Sequence, residues 1–330
     1  MAFNLTGRSL LTLLDYNQAE LDYLLELSAD LKQKKRMGIT GESLKGKQIA
    51  LIFEKPSTRT RCAFAVGAKD EGGFTEYLGK NDIQLGKKET VADTARVLGR
   101  MFDGIQFRGF EHKTVEKLAE KAGVPVWNGL TDEFHPTQVL ADLLTIREEF
   151  GYLQGISMVY TGDGRNNMAN SLMIGSAVMG LDFTIVAPED LWPRTELVER
   201  CQQLADGSGG SVSLSADPVQ GVKGAEVIYT DVWASMGEES DFGSRVELLQ
   251  PYQVNRGMIE NTGNNRVIFL HCLPAYHNAE TENGARIYEE YGLEEMEVTD
   301  EVFESDMSRV FVQAENRMHT IKALMVATLG

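Results

Sequence analysis

Cysteine is scarce. Cys62, Cys201 and Cys272 are the only three in 330 residues, too few and too scattered for a disulfide framework or a zinc site. That scarcity fits a reducing compartment. No apolar stretch approaches the ~20 residues that cross a bilayer. The first residues, MAFNLTGRSLLTLLDY, lack the charged-then-apolar order of a signal peptide. Cytoplasm is the expected location, with no membrane partner. Basic residues are also in the minority. Lys and Arg total 32 against 49 Asp and Glu, a net charge of -17 that repels nucleic acid and anionic membranes. Low-complexity tracts and repeats of 20–50 residues are missing too, which excludes a solenoid.

The chain does contain a recurrent unit: a short apolar strand, a polar or Gly-rich turn, then a helix-period segment. Strands are expected at 48–53, 74–78, 104–107 and 124–127, and again at 156–161, 182–187, 211–214, 226–230 and 266–270. Helical periodicity covers Val91–Met101, Thr114–Ala122, Gln138–Phe150, Met168–Met179 and Thr195–Ala205. Alternating strands and helices imply right-handed βαβ units and parallel sheets. The expected fold is therefore α/β: two parallel-sheet domains with an interdomain active-site cleft. The expected divisions are 1–150, 151–306 and a C-terminal helical segment, 307–330, that packs back on the first domain.

Polar clusters recur where strands end. STRTR (57–61) follows the first strand and RGF (108–110) the third, while FHPTQ (134–138) opens a helix after the fourth. In the second half, GDGRNN (162–167), DVWASMG (231–237) and HCLPAYH (271–277) each follow a strand. Ligands of parallel α/β sheets bind at the carboxyl ends of strands, so six such clusters point to one site.

The chemistry of each cluster is specific. Ser57 is a good N-cap for a helix beginning at Thr58, and a helix N-terminus attracts phosphate through unpaired N–H groups and its dipole. Hydroxyls at 57, 58 and 60 add donors, and the guanidinium of Arg59 adds a bidentate one. The plain alternative is a capped helix with solvated arginines; the acidity of the chain as a whole argues for a pocket. Arg108 and Arg317 would be ordinary surface arginines outside this context. His135 offers a donor to a carbonyl oxygen and Gln138 an amide, although HPTQ is also an ordinary helix start. GDGRNN lacks the third glycine of a dinucleotide fingerprint, which argues against a nicotinamide dehydrogenase. Asp231 suits a ligand ammonium or a simple cap. Cys272 beside Leu273-Pro274 needs a base for nucleophilic work, and His271 points to the opposite face if the strand continues; the X-Pro bond there can be cis. His271 and His277 have no carboxylate at ligand spacing, so no metal is expected.

In order, STRTR, FRGF, HPTQ, GDGRNN, DVWASMG, HCLPAYH and ENRMHTIKA resemble the aspartate/ornithine carbamoyltransferase family over essentially the whole chain. The resemblance implies one domain for carbamoyl phosphate, one for the amino acid, no cofactor, and a homotrimer or assembly of trimers with sites at subunit interfaces. Carried onto this chain, it puts Ser57, Thr58, Arg59, Thr60 and Arg108 on the phosphate. His135, Gln138 and Arg317, with main-chain groups of Cys272 and Leu273, fall on the carbamoyl group. Gln84, in the polar loop 79–89, is a further position associated with carbamoyl phosphate. Asn167, Asp231, Ser235 and Met236 match the positions for the amino acid, and Arg108, His135, Asp231 and Cys272 carry the catalytic roles. DVWASMGEE supplies no basic residue for a second carboxylate, which favours L-ornithine over aspartate. A non-catalytic sensor on the same fold would bind both ligands without turnover, and none of these motifs looks disabled.

Overall fold

The computed structural model describes residues 4–233 and 242–330. The chain forms two compact units, one of Met1–Leu144 with Ala314–Gly330 and one of Thr145–Gln313. The chain runs α1 (Gln18–Arg36), β1 (Gln48–Phe53), α2 (Thr58–Asp70), β2 (Phe74–Gly79), α3 (Val91–Met101), β3 (Gly104–Arg108), α4 (His112–Ala122), β4 (Val126–Leu130) and α5 (Pro136–Phe150). It continues β5 (Ser157–Thr161), α6 (Asn167–Met179), β6 (Asp182–Val186), α7 (Thr195–Ser208), β7 (Ser211–Ser215), β8 (Val227–Thr230) and α8 (Phe242–Leu249). The remaining elements are α9 (Arg256–Asn261), β9 (Ile268–His271), α10 (Glu282–Tyr291), α11 (Asp300–Phe303) and α12 (Val310–Leu329).

Each unit holds one wholly parallel sheet, as the strand–helix alternation predicts. The first has the order β2-β1-β3-β4 and the second β7-β6-β5-β8-β9. Ile49–Phe53 of β1 are all buried, as a strand covered on both faces requires. In the first sheet the chain leaves β1 for β2, then crosses back to lay β3 on the other side. In the second it runs outward through β6 and β7 before returning to lay β8 beside β5. The order therefore reverses between β1 and β3, and again between β5 and β8. Such reversal points open a crevice at the carboxyl ends of the two strands. The segments after β1, β3, β5 and β8 are four of the six polar clusters.

Several elements differ from expectation, three of them instructively. β4 lies at 126–130 rather than 124–127, because Asn128 and Gly129 belong to the strand and not to a turn. Asn128 is fully buried, its N–H donates to Leu10 O at 2.8 Å, and its Nδ2 donates to Leu11 O at 3.0 Å. A Cβ on Gly129 would collide with the Gln106 side chain, so the glycine answers close packing. α1 was not among the expected helices, although Leu21, Leu24, Leu25 and Leu31 bury one face and Asn17 with Glu20 forms a capping box. Helix α12 begins at Val310, not Met307: Met307 O accepts from Phe269 N–H at 3.0 Å and Phe269 O accepts from Arg309 N–H at 2.9 Å, so 307–309 pair with β9.

The first unit takes residues 314–330 of α12 into its core. Trp127 Nε1 donates to Thr328 Oγ1 at 3.2 Å, and Gly67 leaves room for Met325 and Lys322. Two amines are buried there. Lys32 donates to Asn316 Oδ1 at 2.6 Å and Lys322 to Asp70 Oδ2 at 2.7 Å.

Candidate active site

In the first unit the polar side chains converge on Thr60. Ser57, in an extended conformation before α2, accepts from Thr60 N–H at 3.3 Å, the expected N-cap, and its hydroxyl lies 3.1 Å from Thr60 Oγ1. Arg108, from the end of β3, reaches Thr60 Oγ1 with Nη1 at 3.4 Å. Arg317, from α12, reaches the same oxygen with Nη2 at 2.7 Å. One buried hydroxyl thus has two guanidinium neighbours from distant parts of the chain, at the positive end of α2.

Arg317 also fixes the state of His135. Its Nη2 is 3.0 Å from His135 Nε2, and a guanidinium can only donate. Nε2 is therefore the unprotonated nitrogen, and the proton sits on Nδ1, 3.5 Å from Thr137 Oγ1. Burial, then Arg317, Arg108 and Arg59, holds the imidazole well below its ordinary value of 6.5, so it is neutral. Gln138, one turn further, donates Nε2 to Asp142 Oδ1 at 2.8 Å and so presents its carbonyl oxygen away from that carboxylate.

Two positions stand differently. Arg61 lies over the Tyr77 ring at 4.0 Å and is a surface brace on β2. Gln84 is exposed in the 80–89 turn, where its carbonyl accepts from Lys87 N–H at 2.9 Å. A residue not singled out in the sequence, Glu54, joins the two strand ends. Its N–H donates to Arg108 O at 2.9 Å and its Oε2 accepts from Phe110 N–H at 3.0 Å.

In the second unit Asp231 and Cys272 meet at the ends of neighbouring strands. Cys272 Sγ donates to Asp231 Oδ1 at 3.1 Å, Val232 N–H donates to the same oxygen at 2.8 Å, and Asn166 Nδ2 approaches Oδ2 at 3.5 Å. Burial raises the carboxyl above its ordinary value, while His271, Cys272 and the Val232 N–H pull the other way. Asn166 is the N-cap of α6, its Oδ1 accepting from Ala169 N–H at 2.8 Å; Asn167 follows as the first helical residue. Ser235 and Met236 lie outside the described residues.

The turn after β9 is held from behind. Leu273 has φ 58° and precedes a cis peptide to Pro274. His271 Nδ1 accepts Leu273 N–H at 2.8 Å, so Nε2 carries the proton and faces Glu297 Oε1 at 3.3 Å. Glu297 is fully buried and also accepts Tyr276 N–H at 2.7 Å. Its approach to His271 crosses the loop and helix α10 that separate them in the chain, and no local pattern marks it. Asp163 pairs in the same way with Arg245, whose Nε donates to Trp233 O at 2.8 Å.

Carboxylates absent at ligand spacing along the chain reach both histidines through the fold. Folding groups Asp231 with His271 and Cys272, and Asp300 and Glu304 with His277, each set having ligand atoms within 4.8 Å of one another. The reason is tertiary: these carboxylates come from other elements, beyond the reach of spacing along the chain.

Comparison with known proteins agrees over the full length. A model described as the aspartate/ornithine carbamoyltransferase carbamoyl-P binding domain matches residues 8–148, and one for the Asp/Orn binding domain matches 154–328. A Bacillus cereus protein named as a catabolic ornithine carbamoyltransferase is 62% identical over 327 residues, 99% of this chain and 97% of its own. A Streptococcus pyogenes ornithine carbamoyltransferase is 58% identical over 324 residues, 98% of this chain and 96% of its own. The solved structure of ornithine carbamoyltransferase from Pyrococcus furiosus superposes with a TM-score of 0.92 at 43% identity, covering 100% of this chain and 99% of that one.

Proposed function

The chain belongs to the aspartate/ornithine carbamoyltransferase family, and we propose that it transfers the carbamoyl group of carbamoyl phosphate to the δ-amine of L-ornithine. The products are L-citrulline and phosphate, and the same site catalyses the reverse. The observation that carries this reading is the meeting of Arg108 and Arg317 on Thr60 beside a neutral His135.

The residues divide the work by charge. Ser57, Thr58, Arg59 and Thr60, at the N-terminus of α2, with Arg108, bind the phosphate and take up its charge as it leaves. Attack on the carbamoyl carbon puts negative charge on the carbonyl oxygen. Thr60, Arg317 and His135 are the groups to receive it, a water-excluded set of donors worth most where charge develops. For His135 to donate from Nε2, the Arg317 contact must open and the ring must take its other tautomer. Gln138 Oε1, with the main-chain carbonyls of Cys272 and Leu273, accepts from the carbamoyl NH2. Asp231 answers an ammonium of ornithine, and Asn167, Ser235 and Met236 complete that subsite. The δ-amine attacks only as the free base, with an ordinary pKa near 10; the hydrogen-bonded Cys272–Asp231 pair supports a role for these two residues in tuning that proton loss.

Direction is not built into the site, because a catalyst speeds both ways alike; relatives named for catabolic and for anabolic roles both match this chain. We place the enzyme in the cytoplasm as a homotrimer or an assembly of trimers, with the exposed Gln84 turn completing a neighbour's site. No helix among the described residues is long and apolar enough to cross a membrane. The test is citrulline formation with ornithine, putrescine or aspartate as acceptor. Ornithine is expected to win by orders of magnitude; equal rates would sink the assignment.

A further inference from the structure

We propose that His277, Asp300 and Glu304 form a second site, for a first-row divalent transition ion. All three lie in the second unit and none belongs to the carbamoyl or ornithine sets. Their ligand atoms fall within 4.8 Å of one another, a span that one ion with ~2.0–2.2 Å bonds closes after small side-chain rotations. Asp300 opens α11 and Glu304 is its C-cap, so the four-residue spacing puts both carboxylates on one helical face. His277 comes from the loop after β9 and meets them there.

The ligands are oriented before any ion arrives. The His277 ring lies flat on Phe303, centroids 3.7 Å apart and planes 10° apart. Its Nδ1 is 2.6 Å from Asp300 Oδ1, the place where a metal would replace the shared proton. Asn278 Nδ2 donates to Asp300 Oδ1 at 3.1 Å, and Asn278 Oδ1 is itself held by Glu280 N–H at 3.1 Å. A hydrogen-bonded outer layer of this kind is what sets a ligand carboxylate. The cluster borders an open pocket of about 520 Å³ that also includes Leu273, Ala275 and Phe311, so water has room to fill the remaining coordination positions. One imidazole and two carboxylates suit Co2+, Ni2+, Zn2+ or Mn2+ better than Mg2+, which prefers oxygen alone. Because Leu273 and Ala275 share the wall, an ion there would tie the turn after β9 to α11.

The experiment is equilibrium dialysis of the full-length protein against Co2+ with optical spectroscopy, in a Cys272→Ser background that removes the thiol of the Asp231 group. One Co2+ per chain is expected, with a Kd on the order of 1–10 μM. Its d–d bands should lack any thiolate charge-transfer band. Asn278→Ala should weaken binding by ~10–100-fold, and His277→Ala and the exposed Glu304→Gln should each weaken it at least as much. Three results would each overturn the site: no bound Co2+, affinity unchanged in Glu304→Gln and His277→Ala, or a sulfur-to-cobalt band.

Discussion

Replacing Arg317 by Met keeps the length of the side chain and removes every donor. In the native protein this guanidinium is 2% exposed and touches Thr60 Oγ1 at 2.7 Å and His135 Nε2 at 3.0 Å. If it meets the oxygen that becomes negative in the transition state, its loss should lower kcat by ~10²–10³, about 2.7–4 kcal/mol. The fold should suffer less. Thr60 keeps its Ser57 and Arg108 neighbours, and a neutral side chain carries no desolvation penalty, so destabilisation stays within about 1–3 kcal/mol. His135 gives a second readout. Burial is the first cause of its low pKa and Arg317 the second, so the variant should raise it while leaving it below 6.5. Steady-state kinetics at saturating ornithine, with 15N spectra of the imidazole, measure both. A kcat within about threefold of wild type, with only KM raised, would show that Arg317 binds ground and transition states alike. That result would refute the role given to it.

Other outcomes follow from the same geometry. Arg59→Ala should weaken carbamoyl phosphate binding severely by calorimetry and leave the circular dichroism spectrum intact; unchanged affinity removes STRTR from the site. In Gly109→Ala the new Cβ would collide with Glu54 Oε2 and the Phe107 ring, costing ~1–3 kcal/mol. Because Arg108 is the preceding residue, KM for carbamoyl phosphate should rise while KM for ornithine holds, and a native melting temperature would contradict the packing argument. His319 is pushed down to about 4, chiefly by burial, whereas the unfolded imidazole titrates near 6.5. The stability its neutrality contributes is complete above pH ~6.5 and is lost as pH falls toward ~4. Urea titrations should therefore show a shallower loss over that window in His319→Gln, and parallel slopes would count against the shift.

What could be read ahead of the structure was whatever had a local signature. Ser57 before an apolar-periodic run announces the start of α2, and strands such as β1, β5, β8 and β9 stand out as short apolar segments. Asn128 and Gly129 misled because their polarity and small size serve packing inside a strand, which looks like a turn when only neighbours in sequence are considered. Glu54, Glu297 and the pairing of Asp163 with Arg245 carried no signal. Their partners are tens of residues away, and a carboxylate beside a strand is indistinguishable from surface until the chain closes. Arg317 was accessible only through family resemblance, since its meeting with Thr60 joins residues 257 positions apart.

That separation bears on how the protein is made. Residues 1–144 are synthesised first, yet the unit they form is complete only with residues 314–330. At ~5–20 residues per second, translation of the intervening stretch delays closure by on the order of ten to thirty seconds. During that interval the face around Gly67 and Trp127 lacks its α12 cover. Thr60, in the proposed anion cradle, likewise lacks its Arg317 neighbour. A nascent chain therefore presents an open apolar surface and only part of the proposed site. Holding that intermediate soluble is a burden on the cell that the finished enzyme no longer displays.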